Sequence, residues 1–232
     1  IRNSIKGLPP LIDTEINLRK SKKNAIKAAM ETGGFFTKDK RKIERAYKKA
    51  LESYREFNEK IKQGALPSDI LDRKLNVIKK SNEPELNILV IGHVYNLYDS
   101  FINMDLIDKL RKNGVKIMTI DMVEEDIARK NAGLLPKKMF WNFGSRAFGS
   151  VMNFLDKEDI DGIIYLMSFG CGVDSFVCDL IERRVRKTKD VPFIILTLDE
   201  HSGQAGMDTR LEAFIDMVRW RYRNENNVSA YG

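Results

Sequence analysis

The residues best suited to chemistry fall in three short loops. Ser168-Phe169-Gly170-Cys171-Gly172-Val173-Asp174-Ser175 sets one of the chain's two cysteines between glycines, just ahead of a helical pattern. The glycines let the backbone bend and approach a bulky group, and the partial positive charge of a helix N-terminus favours a thiolate. Such a thiolate can be an iron ligand, a nucleophile or a redox thiol; a tight turn around a small residue is the plain structural alternative. Asp199-Glu200-His201-Ser202-Gly203-Gln204-Ala205-Gly206 gathers three titratable groups, of which Glu200 and His201 are candidates for a general acid and base, the alternative being loop and helix capping. Arg210 follows closely and can either bind a carboxylate or phosphate or pair with Glu212.

The third loop is Gly92-His93-Val94-Tyr95-Asn96-Leu97-Tyr98-Asp99. Its Asn96, with Asn103, brackets the entry to a helix, where such residues usually satisfy backbone groups. His93 reads as a hydrogen-bonding residue rather than a ligand. Tyr95, Phe140, Trp141 and Phe169 can line a pocket or simply pack. Cys178 stands at helical spacing with Asp174, Ile181 and Val185 and reads as core.

The elements that must position these loops are legible from periodicity. Apolar runs at Leu86–Ile91, Lys116–Ile120, Gly162–Met167 and Pro192–Leu198 read as buried strands, and helical patterns separate them: Phe101–Lys112, Asp174–Arg186, and a last helix opened by the capping box Thr209-Arg210-Leu211-Glu212. Residues 124–155 form a longer, helical insertion bearing Trp141. Buried strands alternating with helices imply a parallel sheet, hence a flavodoxin-like three-layer α/β sandwich, and the three loops then converge at the carboxyl edge of its strands. Ahead of it, Ile16–Met30, broken by Gly33-Gly34, and Lys38–Lys62 read as helices; the latter is amphipathic through Ile43, Tyr47, Ala50, Tyr54, Phe57 and Ile61. The expected division is an all-helical segment at 1–85, ending in the junction Ser81-Asn82-Glu83-Pro84, and the α/β domain at 86–232.

Composition excludes several classes. Residues 1–86 hold 21 Lys+Arg against 12 Asp+Glu, a net of +9, whereas the rest holds 19 against 21. The basic character thus belongs to the helical segment, with no aromatic interleaving or reader motif, so no nucleic-acid partner is expected. No apolar run approaches the roughly 18 residues of a membrane span, and no secretory signal is present, so the expected location is the cytoplasm. Walker A, dinucleotide, hydrolase-elbow and zinc motifs are absent. Two cysteines and two histidines form neither a disulfide framework nor a histidine-rich metal site. The chain opens on Ile1 rather than methionine, as expected of a domain of a longer polypeptide.

Four motifs, in order, resemble those of one family: the Gly92–Asp99 loop with Asn103-Met104-Asp105; Phe140-Trp141-Asn142-Phe143-Gly144; Phe169–Ser175; and Asp199–Gly206 with Thr209–Phe214. The chain resembles the activase-related relatives of the 2-hydroxyacyl-CoA dehydratase subunits over about residues 86–220. The resemblance implies flavodoxin-like domains holding a 4Fe-4S cluster for low-potential electron transfer or dehydration, fed by a separate ATP-dependent activator. Cys171 carries over as the cluster ligand. Ser168, Gly170, Gly172, Tyr95, Asn96 and Arg210 are then the remaining cofactor-binding positions. Val173 departs from the usual proline, and the other cluster cysteines are missing, so they are expected from the remainder of a longer polypeptide or from a second dehydratase-like subunit. An acyl-CoA or a small anionic ligand is the expected small-molecule partner. The alternative is a cluster-free domain of the same fold that binds a small anion or another subunit.

Overall fold

The computed structural model describes residues 7, 9, 11–17, 22–71, 86–157 and 160–229, in two compact units, Ile1–Glu59 and Lys60–Gly232. In the first unit, α1 (Lys22–Gly34) and the start of α2 (Lys40–Lys62) form a helical pair. Ile16 lies in irregular chain ahead of α1 rather than inside it, and the Gly33-Gly34 pair belongs to the last helical turn. Gly33 is needed there: a β-carbon would stand 2.6 Å from Ile43 Cγ2. Asp39 caps α2 by accepting the N–H groups of Arg41 and Lys42. Of the apolar stripe of α2, Ile43 and Ile61 are buried, whereas Tyr54 is exposed.

The second unit carries the sheet. After α3 (Pro67–Leu71) come β1 (Leu86–Gly92), α4 (Val94–Leu97), α5 (Leu106–Lys112), β2 (Val115–Thr119) and a 3-10 turn at Ile120–Met122. Then follow α6 (Glu125–Ala132), α7 (Asn142–Lys157), β3 (Gly162–Ser168), α8 (Gly172–Thr188), β4 (Phe193–Leu198) and α9 (Gln204–Ser229). The junction at Ser81–Pro84 lies outside the described residues.

All four strands are parallel in the order β2-β1-β3-β4, with β1 at the centre paired to both β2 and β3. Period-two alternation divides their side chains between two cores. Leu89, Ile91, Ile163 and Tyr165 meet Phe148, Val151, Val177 and Ile181 of α7 and α8 on one face. Ile88, Val90, Ile164 and Leu166 meet Leu106, Leu110, Leu211, Phe214 and Val218 of α5 and α9 on the other. Each such side chain contributes roughly 1.5–3 kcal/mol by leaving water. The result is the flavodoxin-like three-layer sandwich.

Three boundaries differ from the sequence reading. The helix expected from Phe101 begins at Leu106, because Asp99 Oδ1 accepts the N–H groups of Phe101 and Ile102 and folds residues 99–105 into turns. The insertion is two helices, α6 and α7, with Trp141 just ahead of α7. The last helix starts at Gln204, so Thr209 is interior and its hydroxyl donates to the Ala205 carbonyl; the Thr209–Glu212 pattern is not a capping box.

Candidate functional site at the carboxyl edge of the sheet

The chain leaves central β1 toward β2 and returns to β3 on the other side, so the β1 and β3 loops part at a topological switch point, where ligands of open α/β sheets gather. The β3 loop is a tight turn: Gly170 adopts φ +72°, and Cys171 N–H donates to the Ser168 carbonyl at 3.3 Å. Cys171 is the N-cap of α8, half-buried, with its carbonyl accepting from both N–H and hydroxyl of Ser175. A thiol in this position sits at the positive end of a helix of 17 residues.

The β1 loop is tied to it. Buried Asn96 donates its side-chain N–H to Ser168 Oγ at 2.7 Å. Buried Asn103 donates to the Leu97 carbonyl and accepts the Leu106 N–H, closing α4 against the start of α5. Between these, Met104 and Asp105 both take left-handed conformations, φ 54° and 59°, a cost that the surrounding turn must sustain.

Beneath Cys171 is a polar cluster that the sequence reading did not assemble. Asp174, 0% exposed, accepts the Ser168 N–H with Oδ2 at 3.4 Å, and its Oδ1 lies 3.0 Å from His93 Nε2. The His93 ring stacks on Phe143 at a centroid distance of 3.7 Å and on Tyr95 at 5.0 Å. The Tyr165 hydroxyl is buried without a hydrogen-bond partner among the described residues, and burial, then the Asp174 charge, push its pKa up. Tyr95 shifts in the same direction, by burial first, then by the charges of Asp174 and Cys171. The sequence signal was present in two places: His93 and Asp174 follow strands that neighbour each other only once the strand order is known.

The β4 loop is an Asx-type turn. Asp199 Oδ1 accepts the His201 N–H, and Ser202 Oγ accepts the Asp199 N–H. The Ser202 hydroxyl proton is within reach of both Thr197 O and Asp199 Oδ1, and this hydroxyl is the main cause holding the Asp199 carboxyl below its usual value. Glu200 and His201 lie outward, 77% and 87% exposed, with 3.7 Å between Oε1 and Nε2. Arg210 reaches back to the Ile195 carbonyl on β4. A cleft of about 640 Å³ opens between the β1 and β4 loops, lined by Asn96, Ser168, Asp105, Asp199, Glu200 and Ser202 among others. Its lining includes no Lys or Arg, so it offers an anion no counter-charge.

The structure therefore brings Ser168, Gly170, Cys171, Gly172, Tyr95 and Asn96 together, whereas Glu200 belongs to the acidic cleft, and Arg210 is engaged by the main chain. Aromatic rings rim the cysteine loop: Phe169, Phe140 and Phe176 are exposed, and Trp141 packs on Phe176 with centroids 5.9 Å apart. Cys178 is buried core, and burial pushes its thiol up to about 12. Among the described residues no group of three His, Cys, Asp or Glu side chains can hold a metal ion, and no helix is long and apolar enough to cross a membrane.

A family model described as "CoA enzyme activase uncharacterised domain" matches residues 1–123, a stretch that includes β1, its loop and β2 and ends before Cys171. No curated protein and no solved structure matches the chain.

Proposed function

Because the chain belongs to the CoA enzyme activase-related family, we propose that it is one domain of a 2-hydroxyacyl-CoA dehydratase-like system and that Cys171 supplies one thiolate to a 4Fe-4S cluster. The observation that carries this reading is the place of Cys171: N-cap of α8, at the switch-point edge, in a loop bent by Gly170. The described residues do not fit a complete cluster site, since they provide a single accessible thiolate. They fit one ligand of a cluster shared with another domain or a second dehydratase-like subunit. When bound, such a cluster supplies low-potential one-electron transfer.

This chain's own part is positioning. The turn at Gly170 and the N-terminus of α8 hold the thiolate; the Asn96–Ser168 hydrogen bond fixes the loop against β1; and the aromatic rim excludes water when a partner covers it. Electrons arrive from an ATP-dependent activator, and the ligand served is an acyl-CoA. The exposed aromatic rim favours a second reading as well, a cluster-free domain that docks a partner subunit at the same edge.

The test is iron and acid-labile sulfide, with electron paramagnetic resonance, on anaerobically purified full-length protein and its Cys171→Ser variant. Cluster ligation requires iron that falls in the variant while Cys178→Ser retains it. Iron-free anaerobic protein, or iron unaffected by Cys171→Ser, leaves the docking reading.

A further inference from the structure

A groove of about 610 Å³ runs between α1 and α2, wholly within the first unit. Its walls are the small side chains of Ala25 and Ala29 on α1 and of Ala46 and Ala50 on α2, with buried Ile43 at the base and exposed Phe36 at the rim. The helix backbone on both sides is spent on its own hydrogen bonds. The two lining threonines are engaged as well: the Thr32 hydroxyl donates to the Thr14 hydroxyl, and the Thr37 hydroxyl accepts the Asp39 N–H. Lys42 is the one charged residue of the lining, and it has no ion pair among the described residues. The surroundings repeat its sign, since residues 23–58 hold 10 Lys+Arg against 5 Asp+Glu. A mostly apolar hollow with one free cation has the composition of a small-molecule site, and its volume falls within the range of roughly 300–1,000 Å³ that such sites span.

Lys42 lies at the joint of the helical pair, in the first turn of α2, and Ala50 lies about two turns further on, roughly 12 Å along the helix axis. The joint end is tight, because α1 and α2 touch there: a β-carbon on Gly33 would stand 2.6 Å from Ile43 Cγ2. A partner helix, roughly 10–12 Å across with its side chains, is too wide for that end, whereas an extended aliphatic chain is not. We propose that the α1–α2 groove binds a single-chain amphiphile with an anionic head, of the fatty-carboxylate class, the head at Lys42 and the chain laid over Ala46 and Ala50. Each buried methylene tightens binding by roughly threefold to fourfold. The chain thus supplies the affinity and Lys42 the choice of head. No covalent step is involved. None of the residues of the carboxyl edge takes part, so the site stands whether or not Cys171 binds iron.

Titration calorimetry on full-length protein with decanoate, decanol and decyltrimethylammonium, each below the concentration at which it forms micelles, reads both parts. Decanoate binds saturably at one site and more tightly than the other two, and octanoate binds roughly tenfold more weakly than decanoate, as two fewer methylenes require. Lys42→Glu, at an exposed position, reverses the order so that the trimethylammonium head is preferred. Ala46→Phe, also exposed, fills the groove and abolishes binding with an unchanged circular dichroism spectrum. Absence of saturable decanoate binding, or equal affinity for the three heads, overturns the proposal without any variant having to fold. Binding that survives Ala46→Phe overturns the location. A dimer in sedimentation that Ala46→Phe dissociates, in protein that does not bind decanoate, assigns the groove to a second copy of the chain and likewise overturns it.

Discussion

Gly149 of α7 lies against the main chain of Ala128 on α6, so close that a β-carbon at Gly149 would overlap the Ala128 carbonyl oxygen. This contact seats the two helices of the 124–155 insertion against each other, and α7 in turn carries Phe143, the ring on which His93 stacks. The support of the candidate site therefore begins at a glycine with no chemistry of its own.

Replacing it tests that support. Gly149→Ala forces α6 and α7 apart and is expected to destabilise the protein by about 3 kcal/mol, the upper part of the range for overpacking. Gly172→Ala is the control: a β-carbon there meets nothing within 4 Å, φ is ordinary, and the residue opens α8. It should be neutral or stabilising by up to about 1 kcal/mol. Urea denaturation of both variants distinguishes the two outcomes, and equal midpoints would contradict the packing argument.

The buried amides make a second test. Asn103→Ala removes the acceptor of the Leu106 N–H and the donor to Leu97, at an expected cost of about 1–2 kcal/mol, as for loss of a helix cap. Asn96→Ala removes one link between loops, at about 1 kcal/mol. Hydrogen exchange should separate them: Asn96→Ala speeds exchange in the 168–171 turn, and Asn103→Ala speeds it at the start of α5.

Most of the layer structure was legible in the sequence, because buried parallel strands read as short continuous apolar runs and here their length and the helical patterns between them settle the assignment. Leu86–Ile91 and Gly162–Met167 each fall inside an observed strand. What misled was local side-chain chemistry. Thr209 with Glu212 has the spacing of a cap, yet Gly203 and Gln204 had already let the chain enter α9. Asp99 took the backbone N–H groups that would have begun a longer α5. The cysteine loop could be singled out because its glycines flank it in sequence. The His93–Asp174 contact could not, since 80 positions separate its members and only the strand order joins them.

The cysteines should part in reactivity. Cys178 is buried and its thiol is pushed up to about 12, by burial first and then by Glu182, Asp174 and Asp179. At pH 8 it should resist iodoacetamide in the native protein, while half-buried Cys171 is alkylated. Peptide mapping after partial alkylation shows which thiol reacted, and labelling of Cys178 at a comparable rate would mean that the α7–α8 core opens readily.

The same shift sets a direction for alkaline stability. The unfolded thiol ionises near its usual value of 9.0 and the folded one only near 12. The contribution is therefore complete below about pH 9 and is lost as the pH climbs toward 12. Tyr98 and Tyr165 are shifted upward by burial and add to the same trend. Denaturation midpoints should fall through this window, and less steeply in Cys178→Ala once its own lower baseline is subtracted.

Ser168 takes part in two neighbourhoods at once. Its hydroxyl receives Asn96, which lines the acidic cleft, and its backbone N–H goes to Asp174, which faces His93 on the opposite side of the sheet. In terms of communication, this residue is a shared terminal: whatever draws Asn96 toward an occupant of the cleft and whatever changes the charge borne by Asp174 are both registered at one position, the first residue of the turn that presents the cysteine.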